Sequence, residues 1–229
     1  MKLEVLYHDD QLLAINKPHG LLVHRTSIAA DADKFALQII RNQIGRAVHP
    51  AHRLDRKTGG VLLFSLNSNT NRSLQKQFAE YMVEKTYHAI VRGYVPEKDT
   101  IDYPLRSSRE SLLQPSITRY TRLRMTEIPL SSGKHPTSRY SLVEVIPTTG
   151  RMHQIRKHFA HIMHPVIGDR PYGCNKQNRF FKETWNCSIM FLHALSIRLE
   201  HPVSGQPLYI EAPYQTEFQR MLDILFNYK

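Results

Sequence analysis

Hydrophobic positions come in short bursts along the first third of the chain. LEVLY, QLLAIN and GLLVH are β-rich runs of strand length, and NKPHG (Asn16 to Gly20) between the last two has the chemistry of a tight turn. A small antiparallel unit is expected there. The spacing then changes: Phe35, Leu37, Ile39, Ile40 and Ile44 recur with the period of a helix. Asp33 is a residue type that caps a helix start, and Gly45 one that ends it. VLLFSL, after the glycine pair Gly59–Gly60, is a continuous apolar run, the pattern of a strand covered on both faces. Leu74, Phe78, Tyr81 and Met82 return to helical spacing, and TYHAIVRGYV to strand composition.

Between about 96 and 138 periodicity fades while Pro, Ser and Arg accumulate, so loops and a sheet edge are expected, with SITRYTRLR as one basic strand. SRYSLVEVIP reads as a further strand, TTG as a turn, and RMHQIRKHFAHIMH as a helix on the stripe Ile155, Phe159 and Ile162, ending before Pro165. GDRPYG and CNKQNRFFKETWNC read as surface loops; IMFLHALSIRLEHP, SGQPLYIEAP and a helix from about Gln215 complete the chain. No repeat or linker interrupts this order. It predicts one α+β domain over residues 1–229, built on a mixed, mostly antiparallel central sheet flanked by helices and loops.

Composition narrows the function. The 229 residues, 41% hydrophobic, suffice for one substantial core. Lys and Arg number 31 against 20 Asp and Glu, a net charge of +11, which favours a polyanionic partner and nucleic acid first. No run of eighteen apolar residues and no basic amphipathic helix points to a membrane. MKLEVLYHDD lacks the apolar core and cleavage site of a secretory signal, so a cytoplasmic protein is expected. Cys174 and Cys187 match neither a CxxC pair nor a zinc knuckle and read as free thiols.

HRLDRKTGG (His52 to Gly60) sets one carboxylate between two arginines. In an extended chain Arg53 and Asp55 share one face, and His52 and Leu54 the other. Taken alone, such a triplet is most often a surface ion pair contributing little to stability. His153, His158, His161 and His164 invite a metal, but their spacing is not HExxH and no acidic ligand adjoins them in sequence, so no metal is expected. Arg119, Arg122 and Arg124, with Arg106 and Arg109, are either phosphate contacts or a solvated edge.

The larger pattern decides. HRLDRKTGG resembles the HRLDxxTSG signature of the pseudouridine synthases, in the large group that modifies uridines of ribosomal and transfer RNA. NKPHGLLVH is similar to the group's NKPxGxxV segment, EKTYHAIVRG to its KxYxAxVxG strand, and TTGRMHQIRKHFAHIMHPVIGD to its TGRxHQ segment running on to HPIxGD. LHALSIRLEHPVSGQPLYIEAP is similar to its closing LHA and HPxxG block. The blocks run in the group's order from about residue 12 to 213. The resemblance implies that the chain isomerises uridine in RNA: the bond from ribose C1′ to uracil N1 breaks, the base turns, and it rejoins through C5.

Residue by residue, Asp55 matches the essential carboxylate, as nucleophile or base. Arg156 matches the arginine that pairs with it, opposite charge being what keeps a desolvated carboxylate ionised. Tyr87 matches the aromatic that stacks on the target uracil, and Arg53 the residue that fills the gap left by a flipped base. His52, Arg151 and Gln154 lie in the same motifs and join Arg53, Arg119, Arg122 and Arg124 as RNA-binding candidates. Gly59 departs from the usual Ser, which puts a local turn hydrogen bond in doubt. The chain opens directly on the catalytic blocks, so no separate N-terminal RNA-binding domain is expected. Neither cofactor nor protein partner is implied, and a monomer is expected. HPTSRYSLVEV, RKHFAHIMHPVIGD and the NRFF insertion are most similar to members acting on uridine 65 in the TΨC arm of tRNA. A ribosomal or anticodon-loop uridine is the neighbouring alternative, and a non-catalytic RNA-binding or folding protein the one from another class. A glycoside hydrolase would need two carboxylates flanking a sugar bond, and only one is marked.

Overall fold

A computed structural model describes residues 1–24, 34–108 and 111–227; Asp33 and Arg109 lie outside them. Among the described residues are ten strands and five helices, in two compact units, Met1–Lys85 with His193–Gln215 and Thr86–Leu192 with Thr216–Lys229. No helix of the described residues is long and apolar enough to cross a membrane.

In the first unit, β1 (Glu4–His8) pairs antiparallel with β2 (Leu12–Lys17), and β2 with β4 (Gly59–Ser65), which also takes the short β3 (His49–Pro50). β9 (Leu192–Glu200) runs parallel to β4, with Gly59 opposite His193 and Gly60 opposite Ala194, and pairs antiparallel with β10 (Pro207–Glu211). All seven residues of β4 are buried, as its unbroken apolar run predicts. Leu12, Val61, Leu63, Leu74 of α2 (Ser68–Ala79), Ile197 and Ile210 form the core.

GLLVH is not a strand. The backbone turns at Pro18 and at Gly20, whose φ is +87°. The carbonyls of Leu22 and Val23 instead accept from the amides of Ala36 and Leu37, at 2.8 and 3.0 Å. These are orphan donors of the first turn of α1 (Ala36–Ile44), which Gly45 ends in the left-handed conformation.

In the second unit β5 (Glu84–Arg92), β8 (Ser138–Pro147), β7 (Ile117–Ile128) and β6 (Lys98–Asp102) pair antiparallel in that order. Ile155 and Phe159 of α3 (Gln154–His161) pack on Ala89, Val143, Val145 and Tyr120, with Tyr87 at the margin. The sheet edge expected between about 96 and 138 is β6, whose bounds the sequence does not show because an edge strand burying only Ile101 carries no apolar signal, and one expectation fails. α4 (Asn175–Trp185) replaces a predicted loop; it buries Gln177 and Phe181, packs Phe181 edge-on against Tyr140, and ends at left-handed Asn186. Its high polar content hides that narrow stripe. The last helix, α5 (Thr216–Phe226), begins where the sequence places it.

Candidate active site

Asp55 sits in the first unit, just before the central strand β4, on a turn closed by the Thr58 amide donating to the Asp55 carbonyl at 3.0 Å. The side chain is half-buried, Arg53 is exposed and Leu54 is buried, the alternation an extended HRLD segment requires. The NKPHG turn clamps this loop. Gly20 N–H donates to the Arg56 carbonyl at 2.8 Å, and Arg56 Nε returns a bond to the Gly20 carbonyl at 3.1 Å.

Lys17 completes the clamp. It is fully buried, and its Nζ donates to the carbonyls of Leu21, Pro18 and Arg56 at 2.8, 3.0 and 3.2 Å. Burial lowers its pKa to about 7, while attraction to Asp55 pulls the other way. His19 is lowered to about 4 by burial and then by the charges of Lys17 and Lys57. In the sequence NKPHG shows only turn chemistry and Lys17 does not stand out, although a lysine directly after the apolar run LLAIN is a signal, and in the structure every position of LLAINK is buried.

Gly59, where Ser is usual, has a local cause. The Gln215 side chain lies against it, donating to the Lys17 carbonyl at 2.6 Å and accepting from the His19 amide at 2.9 Å. A Cβ on Gly59 would stand 2.4 Å from Gln215 Nε2. The glutamine side chain occupies the space a serine would need.

His52 faces inward, stacked on Phe78 at 5.2 Å, with its Nε2 accepting from the Leu63 amide at 3.1 Å. Burial, helped by the Lys85 charge, lowers its pKa to about 4, so it is neutral at pH 7.

Arg156, in the second unit, is buried on the first turn of α3. Its Nε and Nη2 donate to the two oxygens of Asp169 at 2.7 and 2.8 Å, a fork-to-fork pair, and the ring of Tyr172 lies 5.1 Å from its Cζ. Asp169 is itself fixed, because Asn178 bridges its loop by accepting from the Gly168 amide and donating to the Asp169 carbonyl. Tyr172 OH meets His153 Nδ1 at 3.0 Å, and His153 enters α3 with φ +56°. Asp169 and Tyr172 come from GDRPYG, whose composition is that of a surface loop; the sequence signal for Asp169 is its place directly after the apolar run PVIG.

The remaining candidates separate. Gln154 is buried, with Nε2 donating to the Ile117 carbonyl and Thr118 Oγ1, and Oε1 accepting from Thr149 Oγ1 and the Arg151 amide. A polar chain continues from Thr118 to His158 and the Tyr103 carbonyl. Arg151 Nε donates to the Pro115 carbonyl at 3.3 Å. Arg119 and Arg124 share a face of β7, opposite Ile146 and Leu142. Arg122, opposite Val143, is on the other face with its guanidinium on the Val95 carbonyl at 2.7 Å, and the bulge between Arg122 and Arg124 is what returns Arg124 to the face of Arg119. Arg124 donates to the Phe226 carbonyl and to Asn227 Oδ1. Tyr87 is half-buried on β5 opposite Val145. The histidines take separate partners: His161 stacks on Tyr103, and His164 Nδ1 lies 2.8 Å from the Arg92 carbonyl. Among the described residues no group of three His, Cys, Asp or Glu is placed to hold a metal.

The family described as RNA pseudouridylate synthase matches residues 11–161. The tRNA pseudouridine synthase C of Haemophilus ducreyi is 45% identical over 236 residues, covering 99% of this chain and 96% of its own. That of Pectobacterium carotovorum is 43% identical over 227 residues, covering 95% of this chain, which spans 60% of that protein's length. Among solved structures, Human RNA Pseudouridylate Synthase Domain Containing 1 aligns with a TM-score of 0.74 and 24% identity over 93% of this chain and 84% of that one, a likeness of fold.

Proposed function

Because the chain belongs to the RNA pseudouridylate synthase family, we propose that it converts uridine 65 in the TΨC arm of tRNA to pseudouridine, with Asp55 as the catalytic carboxylate. The tRNA substrate is what the names of its relatives support; position 65 rests on the segments HPTSRYSLVEV and RKHFAHIMHPVIGD. In net terms the glycosidic bond to N1 is exchanged for a bond to C5, C5 loses a proton and N1 gains one. The rearrangement is internal and redox-neutral, so it calls for binding, orientation and proton movement.

The observation that carries the Asp55 assignment is its setting. A half-buried carboxylate stands on a turn whose neighbouring carbonyl, that of Arg56, is held by a buried ammonium and by the Gly20 amide. A turn tied at both sides holds its side chain still, which is what attack on, or proton transfer to, a fixed nucleotide needs. In this reading Tyr87 stacks on the uracil and Arg53, exposed on the same face of the extended segment as Asp55, fills the gap left by the flipped nucleotide, while Arg156, forked onto Asp169, is the arginine that the family resemblance assigns to the carboxylate.

Tritium release from C5-labelled uridine in tRNA tests the assignment. Wild type is expected to release tritium, and Asp55→Asn to lose more than about 10³-fold in rate while still binding tRNA. An Asp55→Asn protein with wild-type turnover removes Asp55 from the mechanism. Mapping pseudouridine in cells with and without the gene tests the position: loss at tRNA residue 65 is expected, and loss confined to ribosomal RNA overturns the tRNA assignment.

A further inference from the structure

We propose that a basic cavity at the far end of β5 from Tyr87 is a second RNA-binding site that holds backbone phosphates of the substrate. It rests on the reading of the chain as an enzyme acting on RNA. The cavity, about 730 Å³, lies wholly within the second unit, between the end of β5, the turn joining β7 to β8, and the start of α4.

Its charge is one-sided. Arg92, Lys134, Arg139 and Lys176 line it against one carboxylate, Glu127. That carboxylate is already taken: Arg139 Nε donates to it at 3.0 Å, Thr137 Oγ1 at 2.5 Å and Tyr94 OH at 3.2 Å. Arg92, Lys134 and Lys176 therefore face one concavity, and none of them has an ion-pair partner among the described residues.

The walls are built rather than loose. Ser132, in the turn, accepts from Gln177 Nε2 of α4 at 2.5 Å and donates to Ser138 Oγ at 2.7 Å, and the Ser138 hydroxyl proton goes to the Leu130 carbonyl. Buried Tyr140 donates to Gln177 Oε1 at 2.8 Å, tying the turn, β8 and α4 into one frame. Such a frame holds like charges together at a cost in repulsion, which a bound anion relieves.

The cations argue for backbone phosphates over a small anion. Arg92, Lys134 and Lys176 are exposed, long side chains, suited to point-charge contacts spread along a chain. The strand sets the distance: Tyr87 and Arg92 are five steps apart on β5, about 17 Å at ~3.4 Å per residue. That is the length of roughly five stacked nucleotides at ~3.4 Å each. Tyr87 and Arg92, an odd number of positions apart, lie on opposite faces of the strand, so an RNA engaging Tyr87 meets this site by passing over the end of the strand.

The test is the salt dependence of tRNA binding and the tRNA KM of Lys134→Gln/Lys176→Gln, beside a control of equal charge change, Lys2→Gln/Lys98→Gln. Losing two phosphate contacts is expected to lower the slope of log K against log salt by about 1.4 to 1.8. The activity loss should fall on KM, roughly tenfold, rather than on kcat. A cavity variant matching the control in slope and KM overturns the proposal. So does competition in which millimolar inorganic phosphate or a mononucleotide displaces tRNA from wild type and the control as strongly as saturating RNA does, because that marks a small-anion site. If wild type binds tRNA with the expected slope yet forms no pseudouridine, the enzymatic reading fails and the binding result still decides the cavity.

Discussion

Lys17 and Arg156 are both cations removed from water, and their partners differ in kind. Lys17 is met by three neutral carbonyls, so its charge is tolerated at the expense of a lowered pKa. Arg156 is met by a carboxylate that matches its fork. Breaking a buried pair on one side leaves an uncompensated charge, so Asp169→Asn is expected to cost about 3–5 kcal/mol of stability, read by urea denaturation. It should also lower turnover, because the guanidinium plane is no longer fixed; a variant as stable and active as wild type would show that the pair orients nothing. These residues also mark what was legible. Asp55 stands out because its motif is contiguous. Lys17 and Asp169 do not, because what gives each its role comes from elsewhere in the chain: the Arg56 carbonyl for one, Arg156 for the other.

Among the elements, those with a dense local pattern were readable and those with a sparse one were not. β4 announces itself by an unbroken apolar run, and α3 by Ile155 and Phe159. β6 buries one residue and α4 two, too few for a period to show. Alternation along the basic strand separates Arg119 from Arg122, and the bulge after Arg122 returns Arg124 to the Arg119 face, a backbone event that no side-chain pattern records. Gly60 belongs to this scale. With φ +108°, it lets β4 and β9 approach so closely that a Cβ would stand 2.1 Å from the Ala194 carbonyl oxygen. Gly60→Ala is expected to disrupt the parallel pairing and destabilise the first unit by more than the ~1 kcal/mol typical of point substitutions, seen as lost amide protection in β9 by hydrogen exchange. Protection equal to wild type would show that the strands part without cost.

For the whole molecule, composition alone predicted a polyanionic partner, whereas stability against acid depends on burial that composition does not reveal. His52 and His19 have folded pKa values of about 4, below the usual 6.5. The unfolded chain therefore takes up these protons first as pH falls. The stability they leave intact above about 6.5 is lost progressively as pH drops through 4. Melting temperature should decline over that window, and less steeply in His52→Asn; identical slopes would exclude His52 as a source. The pairing of β4 with β9 also sets an order of events during synthesis. Residue 65 leaves the ribosome long before residue 193, on the order of ten seconds at ~5–20 residues per second. Through that interval β4 has β2 and β3 beside it but lacks β9, and a chain whose translation stops short of β9 has no route to a finished first unit. Such a fragment carries the Asp55 turn, whose ties to Lys17 and Gly20 are complete by residue 60, on a sheet with one edge of β4 still open.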